Sequence, residues 1–359
     1  MLGRRRSQRE PQGPSPPAPV VEALGEAPGA TIRAQRDALV GDHALGGAEF
    51  CAAYSALADR WLVALLSAAA AAGGGGGGGG GPEGVALVAV GGFGRSELAP
   101  GSDLDILLIH RGRKDRDIKP LAERLWYPLW DAGVKLGHGV RSLKEALALA
   151  AGDLDTATSL LTARHVAGDP DVTATLAAGA AEQWQARSTR WLGALGDAVV
   201  ERHRKAGEVA FLLEPDLKEG RGGLRDVHAQ HWAEAARRIL LEGDDEALGG
   251  AYRTLLGVRV ALHRHTAKAS DHLVLQDQDA VAAQAGYPDA DTLMAAVAGA
   301  ARTIAWTSDE TWHRIASSLR GPTGRSAPAD RHLGSGLVLR DGVVHLTAEA
   351  DLPGDGTLI

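Results

Sequence analysis

Three kinds of hydrophobic pattern divide the chain. From Thr31 to Ala72 apolar residues recur at helical spacing, with Leu39, Ala52, Tyr54, Leu57, Trp61 and Leu65 on the apolar faces. Nine consecutive glycines, Gly73 to Gly81, then lead into Pro82. A run of that kind has the backbone freedom of a tether, so 73–82 reads as a linker and not as a phosphate loop. Beyond it the apolar runs become short and β-branched. Val85–Val90, Leu104–Ile109 and Val134–Val140 are the predicted strands, and Ile118–Trp130 is a predicted helix whose end Pro128 disturbs. Strand, turn, strand, helix and strand in that order predict a small α/β domain over 83–142.

From residue 143 to 320 nearly everything carries helical periodicity, which predicts a second, α-helical domain. The predicted helices are Leu143–Ala151, Leu154–Val166, Asp171–Lys205, Leu224–Glu242, Ala247–Lys268 and Asp291–Leu319. One irregular insert, Glu214–Gly223, breaks the series with a proline and three glycines. Residues 321–330 form a Gly/Pro/Ser-rich linker. The alternating segment Gly336–Leu346 folds back at Asp341-Gly342 as a hairpin. That hairpin has no core of its own, so 321–359 reads as the start of a further domain.

Composition narrows the function. The net charge is −7, which argues against wrapping nucleic acid through bulk charge. A single cysteine, Cys51, excludes a disulfide framework and a multi-cysteine zinc site. Residues 1–30 are rich in Pro, Gly and charge and read as a disordered tail whose Arg4-Arg5-Arg6 cluster is solvated. The tail runs into prolines, not into the apolar core of a signal peptide. The apolar helical run Trp61–Ala72 is shorter than a membrane span of ~20 residues. A cytoplasmic protein that does not engage a membrane is expected.

The chemistry is concentrated between Gly91 and Asp105, in the run Gly-Gly-Phe-Gly-Arg-Ser-Glu-Leu-Ala-Pro-Gly-Ser-Asp-Leu-Asp. On a strand, residues i and i+2 share a face, so Asp103 and Asp105 point together while Leu104 faces the core. Two such carboxylates repel unless a cation lies between them, and hard oxygen ligands beside phosphates suit Mg²⁺. Gly91 and Gly92, directly after a buried strand, let backbone N–H groups approach phosphates, with Arg95 and Ser102 as further donors.

This run resembles the signature of nucleotidyltransferases of the DNA polymerase beta superfamily, and more narrowly the N-terminal part of the PII uridylyltransferase family. The family's pattern is matched from Gly91 through Asp105 without a gap. Leu129–Gly133, Gly137–Ser142 and Asp153–Thr158, with Leu161 and Arg164, are similar to further family segments in the same order. Leu213–Asp226 resembles the family's second hallmark. The resemblance spans roughly Val85 to Trp312 and implies an α/β nucleotidyltransferase domain with a small mixed sheet, followed by an α-helical domain.

It also implies transfer of UMP from UTP to a tyrosine of the PII signal protein. Asp103 and Asp105 would be the catalytic, Mg²⁺-holding carboxylates, and Gly91, Gly92, Arg95 and Ser102 would hold the nucleotide. The second hallmark would face the nucleotide cleft with Lys218, Arg225 and Asp226. Three alternatives stand beside this reading: a PII adenylyltransferase that uses ATP, a catalytically silent nucleotide-binding module that regulates a partner, and a related transferase domain of unknown substrate.

The pattern departs from the superfamily in one respect. A third carboxylate is usual on a neighbouring strand, but Val134–Ser142 offers His138 and Arg141 and no acid, so Asp226 or Glu219 would have to supply it. His138 itself is either a core or a catalytic residue. His263 and His265 lie about 200° apart around a helix and cannot share a face; with His272, His228 and His231 they read as structural. The family's hydrolytic domain carries a His-Asp dyad, and this sequence has no His-Asp dipeptide. Uridylyl removal and glutamine sensing are therefore expected outside these 359 residues.

Overall fold

The computed structural model describes residues 27–72, 82–241, 243–319 and three short strands at 331–334, 337–340 and 343–346. The expectations for the tail, the glycine run and the linker 321–330 fall outside these residues, except that the first helix already begins at Pro28.

The predicted segment 31–72 is two helices, α1 (Pro28–Gly41) and α2 (Gly47–Ala72). The sheet begins with β1 (Val85–Ala89), followed by a single helical turn, α3 (Gly91–Gly94), and then β2 (Leu104–His110). Next come α4 (Asp115–Asp131), β3 (Leu136–Ser142), α5 (Leu143–Ala150), α6 (Leu154–Leu160) and β4 (Arg164–Gly168). The helical remainder is α7 (Pro170–Ala186), α8 (Ser188–Ala206), α9 (Leu224–Ala236), α10 (Asp244–Thr266), α11 (Gln278–Ala285) and α12 (Ala290–Leu319). Strands β5 (Arg331–Gly334), β6 (Leu337–Arg340) and β7 (Val343–Leu346) form a separate antiparallel sheet in which Arg340 pairs with Val343; the predicted Asp341-Gly342 turn lies outside the described residues.

The main sheet is mixed, in the order β3-β2-β1-β4. β1 runs antiparallel to β2 and β4, and β2 runs parallel to β3. Of its two inner strands, β1 is buried on both faces, which explains the unbroken apolar run Val-Ala-Leu-Val-Ala. Val85, Leu87 and Ala89 join one core with α2, α4 and α10, whereas Ala86 and Val88 join a second core with α7, α8 and α9.

Two sequence expectations are corrected here. The segment Leu154–Val166 is not one helix: α6 ends at Leu160, and residues 164–168 turn into β4, the fourth strand. The α/β unit therefore takes its last strand from beyond residue 142. The predicted helix Asp171–Lys205 breaks at Arg187, between α7 and α8. Pro128 removes one backbone donor without stopping α4, which continues to Asp131.

Helix α2 also outruns the predicted apolar segment. At 26 residues it is long and apolar enough to cross a membrane by length and composition, so length does not exclude a span. Its aromatic face, Phe50, Tyr54 and Trp61, is instead fully buried inside the protein, packed with α10 and α4. Arg264 of α10 stacks over the Phe50 ring and donates to the carbonyls of Leu45 and Asp42.

Candidate active site

The end of β1, the start of β2 and the first turns of α9 meet at a cleft of about 430 Å³. It brings together Gly91, Gly92, Arg95, Ser102, Asp103, Asp105, Lys218 and Arg225. Eight of the nine residues singled out in the sequence thus line one cavity, although more than a hundred positions separate the two segments that carry them.

Asp105 lies on β2 and is half-buried, while Asp103 precedes the strand and is exposed. The Asp105 carboxylate fits between two glycines. A Cβ on Gly91, whose φ is +58°, would come within 2.9 Å of Oδ2, and a Cβ on Gly137 would come within 2.1 Å of Oδ1. The parallel register sets Gly137 directly beside Asp105. Burial, and next the charge of Asp103, push the Asp105 carboxyl above the ordinary carboxylate range, against the pull of Lys218, Arg225 and Arg95. Two crowded carboxylates with room at their oxygens are a donor set for a hard divalent cation. Among the described residues no group of three or more His, Cys, Asp or Glu side chains stands in metal-binding geometry. The reason for the missing third acid lies in β3, where the positions beside Asp105 and Leu107 are Gly137 and Gly139.

The glycine turn differs from the expectation in the hydrogen bond of one amide. The Gly91 N–H donates to Thr162 Oγ1 at 3.0 Å, so this amide is committed within the fold and Gly91 serves by leaving room for Asp105. Ser102 Oγ accepts from the Ala99 N–H at 3.0 Å, which leaves its hydroxyl proton to be donated elsewhere.

The second hallmark is a built loop and not a loose charged one. Asp216 Oδ1 accepts from the N–H groups of Lys218 (2.9 Å) and Glu219 (2.8 Å), and Leu217 is fully buried. The loop leads into α9, on which Arg225, His228 and Trp232 follow at helical spacing and all line the cleft. Arg225 pairs with Glu219 at 3.2 Å, which occupies Glu219 as a candidate third acid.

Asp226 is the correction. One position further round the helix, it is completely buried and away from the cleft. It accepts from Arg202, from His203 at 2.8 Å and from the Gly222 N–H at 2.7 Å, so its carboxylate is held inside the fold and is not offered to the cleft. His138 is not a core residue and does not line the cleft: it is exposed on β3, between Trp126 and Trp130 of α4.

Sequence reasoning missed four cleft residues. Glu97 pairs with Arg95 at 2.6 Å and with His228 at 3.5 Å, and His228 lies 2.9 Å from Tyr252 Oη. Burial would raise Glu97, but the hydrogen bond from His228 and the charge of Arg95 outweigh it and hold the carboxyl at about 2. Burial lowers His228 to about 4, so the ring is neutral at neutral pH. The fourth residue is Asp271, from the loop after α10. Glu97 lay within the quoted motif and His228 sits one turn from Arg225, whereas Asp271 belongs to no pattern.

Known proteins bear on this site. The family profile described as GlnD PII-uridylyltransferase matches residues 192–312, from α8 into α12. A bifunctional uridylyltransferase/uridylyl-removing enzyme of Streptomyces coelicolor is 42% identical over 339 residues, covering 92% of this chain and 39% of that protein. Over the span compared, the chain belongs to the PII uridylyltransferase family. A Mycobacterium tuberculosis protein with the same name is 41% identical over 77% of this chain and 35% of its own length. The Corynebacterium glutamicum one is 34% identical over 76% and 38%. The chain therefore spans about two fifths or less of these PII uridylyltransferase relatives.

Proposed function

We propose that this chain transfers UMP from UTP to a tyrosine hydroxyl of the PII signal protein through a nucleotidyltransferase fold of the DNA polymerase beta type. The observation that carries the reading is the convergence of Asp103 and Asp105 with Lys218 and Arg225 in one cleft, in a chain whose relatives bear the uridylyltransferase name. Asp103 and Asp105 would hold Mg²⁺, which when bound neutralises triphosphate charge and polarises the α-phosphorus. Lys218 and Arg225 face the phosphate oxygens from the opposite wall. The tyrosine hydroxyl gives up its proton to water; as its oxygen bonds to the α-phosphorus, the bond to the bridging oxygen of the β-phosphate breaks. The departing pyrophosphate then carries its charge toward these two cations. Arg95, fixed by Glu97, adds positive charge beside the glycine turn.

Intact mass spectrometry of purified PII protein, after incubation with the chain, Mg²⁺ and UTP or ATP, tests this. A UMP adduct is the expected result. An AMP adduct keeps the chemistry and replaces the donor. No adduct with either, from a folded chain that binds nucleotide, replaces the enzyme reading with a silent regulatory module.

The glycine cradle gives a second test. Gly137→Ala puts a methyl group where Asp105 Oδ1 now sits. Displacing the carboxylate by about an ångström is expected to lower the transfer rate about a hundred-fold. Gly139→Ala faces only the flexible end of Leu107 at 3.2 Å and should cost far less. Equal rates for the two variants would remove Asp105 placement from the mechanism.

A further inference from the structure

His263 is fully buried on α10 and uses both ring nitrogens. The Gly101 N–H, 162 positions away in sequence, donates to Nδ1 at 3.2 Å, and Nε2 lies 3.0 Å from Asp271 Oδ1. Because Nδ1 accepts, the proton of the neutral ring is on Nε2 and is donated to Asp271. Burial favours that neutral ring. Asp271 is also gripped by Arg259 Nε at 2.6 Å, and its other oxygen stands 3.8 Å from Lys218 Nζ. The backbone repeats the connection: the Leu217 N–H donates to the Asp271 carbonyl at 2.9 Å, and the Leu273 N–H donates to Pro215 at 3.0 Å. At the other end, the turn at Gly101 is pressed so closely on the segment after α10 that a Cβ there would meet Ala269 Cα and the Lys268 carbonyl at 2.9 Å.

One chain of contacts thus runs from the turn just ahead of Asp103, through an imidazole and a carboxylate, to the cation on the opposite wall. We propose that His263 and Asp271 are positioning residues that fix the carboxylate-bearing turn at a set distance from Lys218. The inference rests on the transfer reaction proposed above for its kinetic consequence, but not for its structural one. A merely space-filling histidine would have no reason to commit each nitrogen to a different wall of the cleft.

Two substitutions separate the two ends of the link. His263→Asn keeps an acceptor at the Nδ1 position, and His263→Gln keeps a donor near the Nε2 position while the acceptor for Gly101 is lost. Amide hydrogen exchange, read without any substrate on the peptide containing residues 99–105, is expected to quicken in His263→Gln and to stay near wild type in His263→Asn. In transfer assays each substitution breaks one end of the link, so both should lower kcat about ten- to a hundred-fold with a smaller change in KM for UTP. Equal exchange in the two variants overturns the proposal. If the wild-type chain transfers no nucleotide, the proposed function fails, and the exchange contrast still decides the link. Should His263→Gln not fold, ¹⁵N spectroscopy of the wild-type imidazole decides: a neutral ring protonated on Nε2 is expected, and protonation on Nδ1 overturns the assignment.

Discussion

Asp105→Asn is expected to reduce nucleotidyl transfer by about a thousand-fold or more while leaving the thermal midpoint unchanged or raised. The kinetic part follows from the proposed function, in which Asp105 is one of two carboxylates that would hold a charge-neutralising cation, worth several kcal/mol at about tenfold per 1.4 kcal/mol. The stability part follows from the direction in which burial and Asp103 move the carboxyl. Its folded-state pKa lies above that of the unfolded chain. The contribution to stability is therefore complete below the unfolded value and lost as pH rises through the folded one. At neutral pH the ionised side chain works against the fold, and asparagine removes that penalty. Turnover assays and a thermal melt at neutral pH check both halves. A folded variant with wild-type turnover would sink the role of Asp105, and a lowered midpoint would show that its charge holds the fold together.

Asp226→Ala should produce the opposite profile. Its carboxylate is completely buried and holds Arg202, His203 and the Gly222 amide. Removing it strands a largely buried guanidinium, at a cost of about 3–5 kcal/mol. At roughly 2–4 °C per kcal/mol the unfolding midpoint should fall by about 6–20 °C. The neighbouring Arg225→Ala should lose transfer with a midpoint shift of only about a degree or two, because Arg225 and its partner Glu219 are both only half-buried. Calorimetry of the two variants side by side checks this. A small shift for Asp226→Ala would mean that the buried cluster relaxes around water.

The contrast between these neighbours shows what the chain reveals on reading and what it conceals. A contiguous motif invites one role for all of its members, but successive helix residues are about 100° apart. Arg225 therefore reaches the cleft with His228 and Trp232, while Asp226 turns inward. The strands β1 and β2 were legible because a fold that covers both faces of a strand demands an apolar run. β4 was not, because Arg-His-Val-Ala-Gly is short, only partly buried and adjoins a helical pattern. The break at Arg187 has no glycine or proline to mark it. Asp103, Asp105, Lys218 and Arg225 stood out because their motifs combine carboxylates or cations with turn-forming glycines. Asp271 has no such company, and only the packing of α10 against the second hallmark loop brings it to the site.

The burial of α2 against α10 sets a timetable for the chain during its synthesis. The face bearing Phe50, Tyr54 and Trp61 leaves the ribosome about 200 residues ahead of the helix that covers it. At ~5–20 residues per second that face waits roughly 10–40 s for its partner. Throughout that interval the nascent chain presents three aromatic rings without their final cover, so the second helix to be made is among the last to be sealed.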